Sequence, residues 1–130
     1  MKKTFTIEGE KIFDIHSFYS EINRIFMGNE DWKIATSLDT LNDLLYGGFG
    51  EIRGSEDVKI IWDNSEKNRN DLGKEATLKF YEEKLKSPEI FNEQFIKKKI
   101  IELQSGSGKT YFEIILEIFD DHQNIALQLQ

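Results

Sequence analysis

Three short strand-like segments, separated by long stretches with helical periodicity, constrain the fold of this chain most strongly. Residues 4–7 alternate polar and apolar side chains, residues 58–62 are rich in β-branched side chains, and residues 125–130 alternate again. Helices between strands favour parallel pairing. Two parallel strands must be joined by a crossover connection of a dozen or more residues, which is usually a helix. The sequence therefore predicts an α/β fold with a small three-stranded parallel sheet. The alternation in the last strand predicts that one face of this sheet is less covered than the other.

The segments between the strands contain about four predicted helices, with apolar residues at intervals of three and four. These helices span residues 12–27, 38–46, 70–85 and 111–121. Asp14 or Ser17 can begin the first helix, and Thr110 with Glu113 matches a capping box at the start of the last. Residues 88–104 begin with the proline that ends the third helix. They form an extra segment inserted before the last helix, and their apolar residues fit a helix and a strand equally well.

A chain of 130 residues is long enough for one hydrophobic core but not for two, so residues 1–130 are predicted to form a single domain. Apolar residues make up 38% of the chain and aromatic residues 12%, which favours a folded core over disorder. The lack of cysteine excludes disulfides and cysteine-based catalysis or zinc binding. Glu8 and Glu10 precede any apolar run of signal-peptide length. A cytoplasmic protein without a membrane segment is expected.

The formal net charge of the chain is −7, from 24 acidic and 17 basic residues. Direct binding to nucleic acid is not expected, because phosphate contacts require clustered lysine and arginine side chains. Long-range attraction would instead raise the association rate with a basic protein. A charge of this size also promotes solubility, so by itself it indicates only a class of partner.

The predicted helix at residues 38–46 separates an apolar side from an acidic side. The apolar side consists of Leu38, Leu41, Leu44 and Leu45. The opposite side consists of Asp39, Asn42, Asp43 and Tyr46. The two aspartates lie one turn apart with no cation at i±3 or i±4 of either, so their repulsion costs about 0.2–0.5 kcal/mol. Glu30, Asp31 and Trp32 precede this helix, and an acidic patch with an aromatic residue suits contact with a basic protein.

The string L-D-T-L-N-D-L-L followed by G-G-F-G resembles the signature helix of the barstar family, the intracellular inhibitors of secreted bacterial ribonucleases of the barnase type. The resemblance implies a barstar-like fold whose acidic helix, preceding loop and last helix together block the basic active site of the ribonuclease. It assigns partner-binding roles to Asp39, Asp43, Trp32 and Asp121, or to Asp120 in place of Asp121. Asp31 and Tyr46 lie beside these residues and complete the predicted set. Family members usually carry a glycine and an asparagine before the L-D pair, where this chain has I-A-T-S.

Two other sequence patterns resemble functional motifs but are incomplete. Residues 105–110, S-G-S-G-K-T, match the second half of a phosphate-binding P-loop, but Leu103 stands where the first glycine of that motif is required. Residues 63–75 are rich in acidic and amide side chains, but Asn68 and Lys74 replace the glycine and the final glutamate of a calcium-binding loop. Neither nucleotide binding nor calcium binding is predicted.

Catalysis is not predicted either. Asp39 and Asp43 occupy adjacent turns of one helix face, so their surroundings are similar, whereas a general acid and a general base need distinct environments. His16 and His122 are expected to lie at the surface or at a helix end rather than to bind a metal. A favourable interaction with the helix dipole accounts for a histidine at the position of His122. The sequence therefore predicts no catalytic residues, no metal and no cofactor.

The predicted function is inhibition of a basic secreted ribonuclease by an acidic helix and loop surface. Two alternatives stay open from the sequence. The chain can be a barstar-like immunity or adaptor module that binds another basic protein, such as a toxin, or it can be a small carboxylate-dependent enzyme. For the ribonuclease inhibitor and for the immunity or adaptor module, the expected partner is a protein, and direct binding to nucleic acid or to a membrane is not expected.

Overall fold

Three strands and six helices follow one another along residues 3–130, the part of the chain that the computed structural model describes. In chain order they are β1 (Lys3–Glu8), α1 (Ile15–Phe26), α2 (Leu38–Leu45), β2 (Val58–Asp63), α3 (Ser65–Asp71), α4 (Lys74–Leu85), α5 (Glu93–Ser105), α6 (Tyr111–Asp120) and β3 (Ile125–Leu129). The strands form one parallel sheet with β2 between β1 and β3. This architecture confirms the predicted fold class, a small three-stranded parallel sheet packed with helices.

The sheet has one covered face and one open face. Phe5 of β1 pairs with Ile60 of β2, which pairs with Leu127 of β3, so these three side chains point to the same side. The neighbouring residues along the strands point the other way, and Thr6 and Gln128 among them are exposed. The helices therefore pack on one face only, and the fold has two layers. The predicted uneven coverage of the sheet is confirmed.

The main core lies between the helices and the covered face of the sheet. Trp62 of β2 is fully buried there, and its ring packs against Phe18 of α1 and Phe112 of α6, with centroid distances of 5.6 and 5.1 Å. A second, smaller cluster is enclosed by α4 and α5. Phe80 of α4 packs against both clusters. The α4–α5 hairpin is thus attached to the main core but has an apolar centre of its own.

Local sequence signals account for the starts of three helices. Asp14 and Ser17 form a capping box at the start of α1, and Thr110 and Glu113 form another at the start of α6. The Ser37 hydroxyl accepts a hydrogen bond from a main-chain N–H in the first turn of α2. Each of these bonds satisfies a donor that has no partner within the helix. The sequence predicted all three caps.

The predicted extent of the third helix, residues 70–85, is wrong. The structure contains α3, which the sequence analysis missed, and a break at Leu72 and Gly73 before α4 begins. Buried Leu72 directs its carbonyl to the N–H of Phe112, and the N–H of Gly73 bonds to the carbonyl of Asn70. The sequence of α3, S-E-K-N-R-N-D, contains no apolar residue, so it has no hydrophobic periodicity to detect.

The extra segment at residues 88–104 forms a turn and most of α5. The Asn92 side chain caps α5, and Gly106 ends it in the left-handed conformation with φ +87°. Ile96 and Leu103 are buried against α4. This packing selects the helix over the strand. Within residues 3–130, none of the helices combines the length and the apolar character that crossing a bilayer requires.

The buried side chain of Asn68 ties α3 to the rest of the fold. Its Oδ1 accepts a hydrogen bond of 2.7 Å from the indole Nε1 of Trp62. Its Nδ2 donates to the main-chain carbonyls of Gly9 and Ile12, at 3.0 and 3.2 Å. One amide therefore satisfies buried polar groups from β2 and from the turn after β1.

We expect Asn68→Ala to lower the free energy of unfolding by about 2–4 kcal/mol, because it leaves the buried Trp62 N–H without a partner and removes one hydrogen bond from each of two carbonyls. Urea denaturation followed by fluorescence would measure the change. Asn70→Ala, a substitution of the exposed asparagine in the same helix, is the matched control and should change stability by less than about 0.5 kcal/mol. Equal effects of the two substitutions would contradict this account of Asn68.

Candidate functional site

Helix α2 is oriented by its leucines. Leu41, Leu44 and Leu45 are fully buried in the main core, and burying a leucine side chain stabilises a fold by about 1.5–3 kcal/mol. The repulsion between two carboxylates one turn apart is several times smaller. Burial of the leucines therefore decides which side of the helix faces water. After Tyr46 the chain leaves the helix through Gly47, whose φ of +82° is favourable for glycine only.

The side of α2 turned to solvent displays three predicted residues together. Asp39, Asp43 and Tyr46, at positions i, i+4 and i+7, are all exposed, and we refer to them as the acidic face. Within residues 3–130, no cationic nitrogen lies within 4.0 Å of either carboxylate. Neither carboxylate accepts a hydrogen bond from this part of the chain. The acidic face thus presents two negative charges that the described part of the chain leaves without a close partner.

A lysine from α4 acts on this face at longer range. Lys84 is half-buried, with its Nζ 4.3 Å from the centroid of the Phe80 ring. Partial burial lowers the pKa of Lys84, and the negative charge of Asp39 opposes that shift. Lys84 makes no ion pair within the described residues, so it offsets the charge of Asp39 without blocking the carboxylate.

The end of α6 borders one flank of the acidic face. The Nε2 atom of His122 lies 2.7 Å from Oδ1 of Asn42, and the His122 ring packs edge-on against Tyr46 with centroids 4.6 Å apart. Asp121, the residue before His122, is exposed. This contact brings the predicted late acid to α2, beside the acidic face. Asp120 is also exposed, at the last position of α6.

His122 follows the end of α6, as the sequence indicated, but it is buried rather than exposed at the surface. Its side chain is only 6% exposed. Burial lowers the pKa of His122 below its usual value, and the neighbouring charge of Asp121 opposes this in part. A neutral ring that supports Asn42 and Tyr46 explains the residue better than a positive charge at a helix end. The contact between Asn42 and His122 was not predicted from the sequence, because 80 positions separate them and no local pattern links them.

The loop before α2 borders the opposite flank. Asn23 of α1 holds it, accepting from the N–H of Ile34 at 2.8 Å, and the hydroxyl of Thr40 in α2 donates to the carbonyl of Ala35 at 2.7 Å. Thr40 and Asn42 lie on opposite sides of the line that joins the two aspartates. The acidic face therefore lies between this loop and the end of α6.

Trp32 is held in the loop but open to solvent. Its ring packs against Phe49 with a centroid distance of 4.9 Å and remains 45% exposed. Glu30 accepts a hydrogen bond from the N–H of Gly50, so that carboxylate serves the loop, whereas Asp31 is exposed. Trp32 and Asp31 therefore lie beside the segment that follows α2. Trp32 also lines a groove of about 630 Å³ between the loop and α1.

The two incomplete motifs have structural roles. In residues 105–110 the N–H groups of Ser107 and Gly108 both donate to the carbonyl of Glu102, each at 2.9 Å. They close the end of α5 and are not free to hold a phosphate group. Residues 63–75 contain α3, not a calcium-binding loop. Among residues 3–130, no group of three or more His, Asp or Glu side chains is arranged to hold a metal ion.

Comparison with known proteins finds no family model, no curated protein and no solved structure that matches this chain. Its function must therefore be argued from the acidic face and the residues that border it.

The buried ring of His122 makes stability depend on pH. Because burial lowers its pKa, the unfolded chain binds more protons than the folded chain once the pH falls below about 6.5. We expect the free energy of unfolding to fall as the pH is lowered from about 7.5 through the unfolded-state pKa of about 6.5, by at most about 1.4 kcal/mol per pH unit. Urea denaturation at several pH values would measure this. His122→Gln should flatten the dependence, whereas His16→Gln, at an exposed histidine, should preserve it.

Proposed function

We propose that this chain is a barstar-like inhibitor that binds a basic secreted ribonuclease and blocks its active site with the acidic face. One observation supports this proposal most directly, namely that Asp39 and Asp43 are exposed together on one rigid helix with no close cation within residues 3–130. A ribonuclease active site must hold RNA phosphates with basic side chains. Two carboxylates about 6 Å apart along a helix axis can occupy such a site in place of phosphates.

The stability of α2 favours this use of its charges. The helix is capped by Ser37 and anchored by buried leucines, so its carboxylates need little ordering when a partner binds. Aromatic residues that are already positioned also favour tight binding, because few rotamers are lost. Trp32, braced by Phe49, and Tyr46, in contact with His122, meet this description. We assign Asp39 and Asp43 the main charge contacts, with Trp32, Tyr46, Asp31 and Asp121 around them.

The overall charge of the chain supports the same kind of partner. A net charge of −7 attracts a basic protein over distances comparable to the Debye length, about 10 Å at 0.1 M salt. The association rate should therefore fall as salt is added. Inhibition needs no chemistry by the inhibitor, since occupying the site excludes RNA. The compartment we propose is the cytoplasm. Cytoplasmic proteins rarely contain disulfides, and this chain has no cysteine with which to form one.

The alternative of a barstar-like immunity or adaptor module rests on the same acidic face and differs only in the partner. Binding to a basic toxin without ribonuclease activity would favour that alternative. A carboxylate-dependent enzyme is supported less well, because Asp39 and Asp43 are both exposed and no apolar wall distinguishes one from the other.

We expect Asp39→Ala and Asp43→Ala each to weaken binding to a barnase-type ribonuclease by about 2–5 kcal/mol, which is roughly 30-fold to several thousand-fold in Kd. The physical reason is that a lysine or arginine of the partner loses its counter-charge in a desolvated interface. This energy range comes in part from barnase and barstar themselves, so it is carried over with the resemblance. Surface plasmon resonance and a ribonuclease inhibition assay would measure the losses, mainly in the dissociation rate.

The matched control is Glu82→Gln, which removes one exposed carboxylate of α4 away from the acidic face. It should leave Kd within about threefold of the parent value. Both aspartate variants should keep their free energy of unfolding within about 0.5 kcal/mol, since both side chains are exposed and neither has an ion-pair partner within residues 3–130. Full inhibition by both aspartate variants would show that the acidic face is not the binding site.

Trp32 allows a second, independent measurement. Of the two tryptophans, Trp62 is fully buried and Trp32 is 45% exposed. We expect acrylamide to quench mainly Trp32 fluorescence, and Trp32→Phe to remove most of the quenchable signal. Addition of the ribonuclease should protect Trp32 of the parent chain from acrylamide. The fluorescence of the ribonuclease, measured alone, is subtracted. Unchanged quenching in a saturated complex would place Trp32 outside the interface.

A further inference from the structure

The two edges of the sheet differ in how they are protected. Unpaired strand edges favour pairing with other chains, and proteins usually block them with charged side chains, proline or covering elements. At β1, Lys3 forms an ion pair with Glu56 at 3.0 Å, and the N–H of Glu8 donates to the carboxylate of Glu21 at 2.8 Å. At β3, residues 124–130 read N-I-A-L-Q-L-Q and contain no charge, glycine or proline. The β3 edge therefore lacks the sequence features that discourage pairing.

The hydrogen bonds at the two ends of the β2–β3 ladder show which groups of β3 point outward. The N–H of Val58 donates to the carbonyl of Asn124 at 2.9 Å, and the N–H of Gln130 donates to the carbonyl of Trp62 at 2.8 Å. Even-numbered residues of β3 thus bond to β2, and odd-numbered ones point to the free edge. Within residues 3–130, no helix or loop forms a hydrogen bond with the main-chain groups of Leu127 or Leu129.

An apolar groove runs along the same edge. Its volume is about 390 Å³, and its apolar lining comes from Leu116 and Phe119 of α6 together with Ile125, Leu127 and Leu129. Leu129 is 39% exposed. Glu117 and Asp120 also line the groove, but Glu117 is paired with Lys109. A segment that adds to the sheet would cover the groove as well as the outward main-chain groups.

We propose that β3 pairs antiparallel with β3 of a second copy of this chain, about a two-fold axis at Leu127, to form a continuous six-stranded sheet. This axis sets Leu127 opposite its own symmetry mate and Ile125 opposite Leu129. It brings the outward N–H and C=O groups of Leu127 and Leu129 and the C=O of Ile125 into register, whereas the N–H of Ile125 already donates to the carbonyl of His122. The leucines and isoleucine of both copies then lie on the covered face, with the two α6 helices on the same side. The exposed Ala126 and Gln128 meet across the open face.

A second copy fits this edge better than a basic or an acidic peptide. The strand has no charged side chain that would attract a charged peptide, and its apolar residues at 125, 127 and 129 face the same apolar residues of a second copy about the two-fold axis. The net charge of −7 on each copy opposes association, so added salt should strengthen the pairing. Salt should weaken the proposed binding to a basic ribonuclease, so the two surfaces can be told apart.

Sedimentation equilibrium over a range of protein and salt concentrations tests the proposal. We expect the parent chain to reach twice the monomer mass at high concentration, and the dimer fraction to rise with salt. Leu127→Lys should remain a monomer because it places a charge in the joined apolar groove. Gln128→Lys, with the same charge on the next residue and on the open face, is the matched control and should dimerise. A monomeric parent chain at every condition would overturn the proposal.

Leu127→Pro tests the main-chain pairing itself. The N–H that this substitution removes points away from β2, which an edge strand tolerates, so the fold should persist by circular dichroism while the dimer is lost. A folded proline variant that still dimerises would overturn the proposal. If the variant does not fold, hydrogen exchange in the parent chain decides. Protection of the Leu127 and Leu129 amides should rise with protein concentration relative to Ala126 and Gln128, and no rise would exclude the pairing.

Discussion

Burial of apolar side chains on one face of a three-stranded sheet is the constraint on which the rest of this structure depends. The register of the strands places Phe5, Ile60 and Leu127 on the same side, so every large helix that needs apolar cover must pack there. Helix α2 can then turn only its leucines inward, and Asp39 and Asp43 are directed to water. The burial of each leucine outweighs the repulsion between the two carboxylates several times over. The acidic face is therefore a consequence of core packing, and its charges are tolerated rather than stabilising.

Polar groups inside this core are paired across long distances in the sequence. The amide of Asn68 donates to the carbonyl of Gly9 at 3.0 Å, the hydroxyls of Tyr19 and Tyr111 lie 2.6 Å apart, and the hydroxyl of Thr77 accepts from the N–H of Tyr111 at 2.7 Å. No buried side-chain nitrogen or oxygen in residues 3–130 lacks a hydrogen-bond partner. Such bonds require specific positions of α3, α4 and α6, because a displaced partner would leave a buried group unsatisfied. They fix the framework that holds α2 and the end of α6 side by side.

The two proposed interaction surfaces use different physics. The acidic face offers charges on a rigid helix, bordered by aromatic side chains that are already held in place, and it suits a basic partner whose charges need counter-ions. The β3 edge offers main-chain hydrogen bonds and a strand without charged side chains, and it suits a strand of the same composition. Salt should therefore act on them in opposite directions. His122 touches both regions, since its ring supports Tyr46 while its carbonyl accepts from the N–H of Ile125 at the start of β3.

The sequence by itself determined the features that depend on neighbours along the chain. These include the three strands, the caps at Asp14, Ser37 and Thr110, and the separation of leucines from aspartates on α2, because periodicity and capping are local. It failed at α3, which has no apolar residue, and at residues 88–104, whose pattern fits two structures until α4 supplies the surface that selects a helix. Only the tertiary structure decided that His122 is buried against Asn42, that Lys84 acts on Asp39, and that Trp32 rests on Phe49. Each of these contacts joins residues from different elements, and their distance is set by how the whole core packs rather than by any spacing in the chain.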